Sequence, residues 1–496
     1  MTERAAGDQW VLLPGTGLRI GDGDGDASGD LRALFASLAA PGHTHELAQG
    51  PGNLRVRLVD SIGPEGAKLI EGPVEAILAL RRLHPGARVV PVRYYTPAVA
   101  PRPVATPPEG LARAPGSAIK LRVVSAKAGT AVVGAFVIAF VDFSTKSGDQ
   151  GVTDAKGEVA LALGRQSIQL DRIYVYPVDA HWSLMTPGFT AANGARLAVL
   201  PLDLAAPDGL RHSYGNAGEG DGAGVTVAVI DTGVGPHPDL VVSGGANTVT
   251  GEKPSDYGDN GQHHGTHVAG IVAARGMPPH GVRGVAPGVD LRSYRVFAKG
   301  SGSATNFAIA KAVDTAVADG CDLLNMSLGG GHPDDVIKAA VDAARGGGSL
   351  CIIAAGNGDR APVAFPASDA MALAVSALGR VGTFPPTSSE ADDVAGPHGT
   401  DPEDFIASFS NVGPEIDLTG PGVGIMSTVP GGYAEISGTS MACPAATGRA
   451  ARALVGSPAL TAKRDAARSD AFVATILAAA RPRGFPPELE GHGQLP

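Results

Sequence analysis

From residue 225 onward the chain alternates apolar runs of strand length with helical stretches, and this alternation narrows the folds open to it. VTVAVI, CDLLNMSL, SLCIIAAG and MALAVSAL are separated by segments such as NFAIAKAVDTAVADG and DDVIKAAVDAARGG. Runs that are apolar on both faces suit strands covered on both sides, and the helical segments supply the crossovers. The expectation is an α/β domain over 205–496 built on a parallel sheet with helices on each face. In such sheets chemistry gathers beyond the carboxyl ends of the strands.

Upstream the texture differs twice. Residues 1–100 read as an α+β domain in the order β-α-β-β-α-β, through WVLLP, LRALFASLA, LRVRLVDSI, GAKLIEG, PVEAILALRRLHP and ARVVPVRYY. The proline-rich TPAVAPRPVATPPEG at 96–110 reads as a linker. Residues 118–203 show strand-like runs alone, IKLRVV, VGAFVIAFV, GEVALAL and DRIYVYPV, and are expected to form a small β-sandwich. A second linker, AAPDGLRHSYGNAGEGDGAG, precedes the α/β region.

A formal charge of −10 argues against a nucleic-acid partner. The longest apolar run, AVVGAFVIAFV, is too short to cross a bilayer, so no membrane partner is expected. Cys321, Cys351 and Cys443 form neither a disulfide framework nor a four-cysteine zinc site. The first residues lack a basic segment followed by an apolar one. Cytoplasmic location is the default expectation, with export by a non-classical route left open.

Four residues stand where chemistry is expected. Asp231 follows the run VTVAVI, although a carboxylate there also suits a turn or a helix cap. Asn357 follows SLCIIAAG, and Ser440 sits where a loop enters a small-residue helix. Pro444 is expected in the first turn of that helix. In GQHHGTHVAG, His263 and His267 lie four apart, a spacing that suits two metal ligands on one helix face. The zinc signature HExxH needs a glutamate after its first histidine, and His264 occupies that place. No catalytic metal is therefore expected.

Seven stretches, in order, carry a family resemblance: AVIDTGVGPHPDL, HGTHVAGIVAA, RGVAPGVDLRSYRVF, LLNMSLGG, AAGNG, ASFSNVGPEIDLTGPGVGIMSTVP and GTSMACP. From about residue 224 the chain resembles a subtilisin-like serine protease (subtilase, peptidase family S8). The resemblance implies a serine endopeptidase with Asp231, His264 and Ser440 as its triad and an acyl-enzyme intermediate. Asn357 and the Ser440 N–H would then serve the oxyanion. It also implies an extended peptide lying between Ser301 and Gly302 on one side and Ser327, Leu328 and Gly329 on the other. Ala354, Ala355 and Gly356 would wall the pocket for the residue before the scissile bond, with Ala364 at its floor. That pocket should prefer an apolar side chain of moderate size. A peptide ligase or macrocyclase could run on the same triad, and a catalytically silent binding scaffold is a third reading.

The resemblance further makes the first domain similar to a propeptide, hence an intramolecular inhibitor or folding chaperone. No cofactor is implied for the chemistry. Structural calcium is common in such proteins, yet ARGMPPHGVRGVAP stands where their calcium loop would be. Asp22, Asp24 and Asp26 suggest calcium ligands, but Ala27 replaces the required glycine and no glutamate closes the loop, so a flexible linker is expected. The acidic insertion 381–405 is expected to be a solvated loop.

Overall fold

The computed structural model describes residues 8–21, 27–38, 40–47, 54–107 and 118–496. Asp22, Asp24 and Asp26 lie outside them. The α/β region is built on one sheet, in the order Gly244–Asn247, Asp290–Arg295, Thr226–Asp231, Leu323–Met326, Leu350–Ala354, Leu373–Arg380, Asp404–Ile406. Its pairings are parallel up to Leu373–Arg380, and Ile416–Pro421 also joins that strand in parallel. Asp404–Ile406 alone runs antiparallel at its edge. Helices cover both faces. His264–Ala273 and Thr439–Leu454 pack into one apolar core, while Asn306–Ala318 and Asp335–Gly346 pack into another. Every residue of His264–Ala273 is buried, which explains why its sequence shows no polar face.

Helix starts are fixed by side chains that satisfy orphan N–H groups. Thr305 Oγ1 accepts from Ala308 N at 3.1 Å, and Asp334 accepts from Val336 N and Ile337 N at 2.8 and 3.2 Å. Pro444 lies inside Thr439–Leu454, beyond the first turn. A proline there leaves the Ser440 carbonyl without its helical donor, and the Ser327 hydroxyl donates to that carbonyl instead, at 2.9 Å.

At the N-terminal end a five-stranded antiparallel sheet has the order Thr44–Leu47, Leu54–Ser61, Lys68–Glu71, Gln9–Leu13, Arg88–Pro91. Thr44–Leu47 adds a strand to the expected order. It reads THEL, with Leu47 alone buried, so it offers no apolar alternation. One face of this sheet packs on its own helices, Ala27–Ser37 and Val74–Leu83. The other face, through Val11, Leu13 and Leu69, shares a core with the helices at 306–318 and 335–346. Ion pairs Arg19–Asp314 at 2.6 Å and Lys311–Asp60 at 2.7 Å rim that contact.

Between 118 and 199, strands form a three-stranded sheet, a four-stranded sheet and a two-stranded ribbon. Leu121 and Val123 of one sheet meet Val137, Ile173 and Val175 of another in a common core. This middle unit is anchored to the α/β region by Trp182, which is buried in the same core as Phe384 and Val423. The insertion 381–405 is only in part the solvated loop expected. Two of its acidic side chains turn onto the middle unit, where Ser183 Oγ donates to Glu390 at 2.8 Å and Tyr174 Oη to Asp392 at 2.7 Å, while Asp401 and Glu403 stay at the surface beside Arg380.

Candidate active site

Asp231 ends its strand fully buried. Its Oδ1 accepts from Thr232 N at 2.7 Å and lies 2.8 Å from His264 Nδ1. His264 opens its helix, and the Thr232 hydroxyl accepts from the next N–H, Gly265, at 2.8 Å. One strand end therefore fixes both carboxylate and imidazole. His264 Nε2, the nitrogen facing away from Asp231, is buried without a hydrogen-bond partner. Ser440, fully buried near its helix N-terminus, donates its Oγ to the Ser327 carbonyl at 2.9 Å.

The other two histidines of GQHHGTHVAG have different surroundings. His263 adopts the left-handed conformation at the helix N-cap, with Nδ1 3.1 Å from Asp259. His267 is fully buried, with Nε2 near the Ile425 and Ala434 carbonyls at 3.1 and 3.2 Å. Burial, assisted by the charge of His264, pushes its pKa down to about 3, so it remains a neutral donor. The two do not share a ligand site, and among the described residues no three His, Cys, Asp or Glu side chains are placed to hold one metal ion.

Asn357 Oδ1 accepts from Thr439 N at 2.9 Å, which holds the amide, while Nδ2 is buried without a partner. Gly356, Asn357 and Ala364 line a cavity of about 270 Å³; Ala354 and Ala355 are buried behind it and do not line it. Gly356 has a φ of +100°, and a Cβ there would stand 2.9 Å from Ala364 Cβ, so glycine keeps this wall thin.

A segment that overlaps the start of the expected linker at 96–110 lies across this site. Tyr94–Pro97 forms a strand between two edges: Tyr94 and Tyr95 pair with Thr305 and Ala304, and Thr96 and Pro97 with Gly329 and Leu328. Leu328 and Gly329 thus sit on one edge. On the other the ladder is made by Ala304 and Thr305, while Ser301 and Gly302 lie in the preceding turn, where Ser301 Oγ donates to the Ser303 carbonyl at 3.0 Å. Beyond the strand, Ala98 N donates to the Ser327 carbonyl and Ser440 N to the Ala98 carbonyl, each at 3.1 Å. Ala100 N donates to the Ser437 carbonyl at 2.8 Å. Gly438 makes room for this path: a Cβ there would stand 2.6 Å from the Ala98 oxygen. Pro97 and the prolines that follow hid the continuation of this strand past Tyr95.

The subtilase family model matches residues 222–493. The chain belongs to the subtilase family. This subtilase is 41% identical over 232 residues to Subtilisin Savinase of Lederbergia lenta, covering 46% of the chain and 76% of that relative. It is 39% identical over 249 residues to Subtilisin DY of Bacillus licheniformis, covering 49% and 81%. With the Alkaline protease of Shouchella clausii the identity is 41% over 232 residues, or 46% of the chain and 54% of the relative. The family assignment makes the chain a subtilisin-like serine endopeptidase, a hydrolase, on an α/β fold with a parallel sheet. The expectation of a cytoplasmic location is corrected by the same relatives, because subtilisins of this kind are secreted extracellular proteases.

Subtilase chemistry needs no cofactor, although calcium is common in the family. The loop at 274–287 does not fit a calcium ion. The loop carries no carboxylate of its own, its charged residues are Arg275 and Arg283, and Oδ2 of the Asp239 facing it already accepts from Val282 N at 3.0 Å and Tyr433 Oη at 2.9 Å.

Proposed function

We propose that this subtilase hydrolyses peptide bonds through Asp231, His264 and Ser440, with Asn357 and the Ser440 N–H serving the oxyanion. The observation that carries the reading is the path of Tyr94–Ala98, which presents the carbonyl of the Ala98–Val99 bond to the Ser440 N–H. For reaction, the Ser440 hydroxyl turns from the Ser327 carbonyl to His264 Nε2. The imidazole takes the hydroxyl proton as Oγ attacks the carbonyl carbon, and Asp231 stabilises the imidazolium. Charge passing to the carbonyl oxygen is met by Ser440 N and Asn357 Nδ2, the latter free to donate. The imidazolium then protonates the leaving nitrogen as the C–N bond breaks. Water, deprotonated by the same imidazole, releases the acyl group.

In this reading, residues 1–100 act as an intramolecular inhibitor that fills the cleft with its last strand. Residues 118–203 form a β-sandwich that stays with the catalytic domain through Trp182. Substrates are peptides in extended conformation, with a small apolar side chain such as that of Ala98 before the cut. Labelling tests the assignment: a phosphonyl or sulfonyl reagent should modify Ser440 and abolish peptidase activity, whereas chelators should leave the chemical step intact. Modification of another residue with full loss of activity, or loss on chelation restored by zinc alone, would refute it.

A further inference from the structure

After Ala98 the chain leaves the cleft past Ser437 and borders a cavity of about 430 Å³. Its walls come from four separate parts of the sequence. The middle unit supplies Tyr174 and Tyr176, stacked with ring centroids 6.2 Å apart. The insertion supplies Glu390, Asp392 and Asp393, and the hairpin before Ser440 supplies Glu435. Asp359, two residues beyond Asn357, adds a fifth carboxylate.

The cations facing these acids are few. Arg172 lies 3.5 Å from Asp392 and stacks on Phe143. Lys146 sits over Phe143, 3.3 Å from its ring centre. Glu390 and Glu435 take hydroxyl donors, Ser183 at 2.8 Å and Ser437 at 3.2 Å, and Asp393 lies half-buried beside them. Burial, then the charge of Glu390, raises both Glu435 and Asp393 well above the usual carboxylate range, and the charge of Arg102 opposes that shift at Glu435. A second observation places an exposed cation at the rim of this cavity. Arg102, the fourth residue after the Ala98–Val99 bond, places its guanidinium 4.5 Å from the centre of the Tyr176 ring, and its charge acts on Glu435.

We propose that this cavity is a leaving-side subsite for a cationic side chain, guanidinium before ammonium, four residues after the scissile bond, with Arg102 as its built-in occupant. The inference rests on the serine-endopeptidase reading and deepens it. A planar guanidinium can stack on Tyr176 while its N–H groups reach the carboxylates, which a point-like ammonium does less well. The subsite gives the sandwich and the insertion a shared purpose: neither alone encloses the cavity.

The test uses the full chain carrying Arg102→Gln, after it has processed itself, so that no tethered guanidinium fills the subsite, with the peptides YYTPAVAPXP in which X is Arg, Lys, Gln or Glu. The kcat/KM should fall in that order, with Arg exceeding Gln by about tenfold. In Glu435→Gln the Arg-to-Gln ratio should approach one, and a ratio is insensitive to general damage from the substitution. In the intact chain, Arg102→Gln should slow the Ala98–Val99 cut by a similar factor, and Arg102→Lys by less. Equal rates for the Arg and Gln peptides overturn the subsite. So does a calcium-dependent rise in the unfolding midpoint that Glu435→Gln abolishes, combined with no Arg preference, because the cavity would then serve a metal. Failure to cut any peptide or the chain itself overturns the endopeptidase reading, and the subsite with it.

Discussion

Substituting Ser327 tests how the helix that carries Ser440 is held. Ser327 Oγ donates to the Ser440 carbonyl at 2.9 Å and accepts from Asn325 Nδ2 at 3.0 Å, with all three residues buried. Pro444 has already removed the helical donor to that carbonyl, so Ser327→Ala leaves it unsatisfied in the core. A buried polar group stripped of its partner costs roughly 1–3 kcal/mol. For a domain of this size that is about 2–4 °C of unfolding midpoint per kcal/mol. The decisive comparison is a double-mutant cycle with Pro444→Ala, which restores an N–H within reach of the same carbonyl. In that background Ser327→Ala should cost about 1 kcal/mol less, the remainder reflecting the acceptor lost to Asn325. Calorimetry on both backgrounds, each also carrying Ser440→Ala to prevent self-digestion, supplies the midpoints. An identical loss in the two backgrounds would refute the argument that Ser327 replaces the missing helical bond.

His267 has a folded pKa of about 3, below an unfolded value of about 6.5, so its stabilising contribution is present above pH 6.5 and is lost as pH falls towards 3. Stability of the Ser440→Ala chain should decline by about 1.4 kcal/mol per pH unit from this group across that window, and His267→Gln should flatten the decline; parallel profiles would exclude it as the source. Asn357→Ala and Asn357→Leu should both reduce turnover far more than they weaken substrate binding. Their cost of roughly 10²–10³ in kcat is the figure for subtilisin itself, carried over from the family rather than worked from these distances. Wild-type kcat in both folded variants would make Asn357 a turn residue only.

Much of the candidate site is local in sequence. A carboxylate at the end of a buried strand, a histidine opening a wholly buried helix and a serine entering a small-residue helix each occupy a few adjacent residues. The parallel sheet is legible for a similar reason, since strands buried on both faces read as unbroken apolar runs. What sequence misses is set by distant partners. Pro97 marks a linker by composition, yet its neighbours find hydrogen bonds from two edges far along the chain. Glu390 and Asp392 look like a solvated acidic run until the hydroxyls of Ser183 and Tyr174 are placed beside them. The shift of one cleft edge from Ser301–Gly302 to Ala304–Thr305 follows from a turn closed by Ser301 and Ser303, a contact of side-chain geometry that no residue pattern announces. Thr44–Leu47 escapes because an exposed edge strand needs no apolar face.

Intact mass and N-terminal sequencing of the freshly folded chain, with and without Ser440→Ala, address the central claim most directly. The account predicts that the unsubstituted chain yields a fragment beginning at Val99, with the sandwich still attached, and a partner ending at Ala98, while the Ser440→Ala chain stays whole. An unsubstituted chain that never cuts itself, a first cut elsewhere, or the same cut in the Ser440→Ala chain would contradict it.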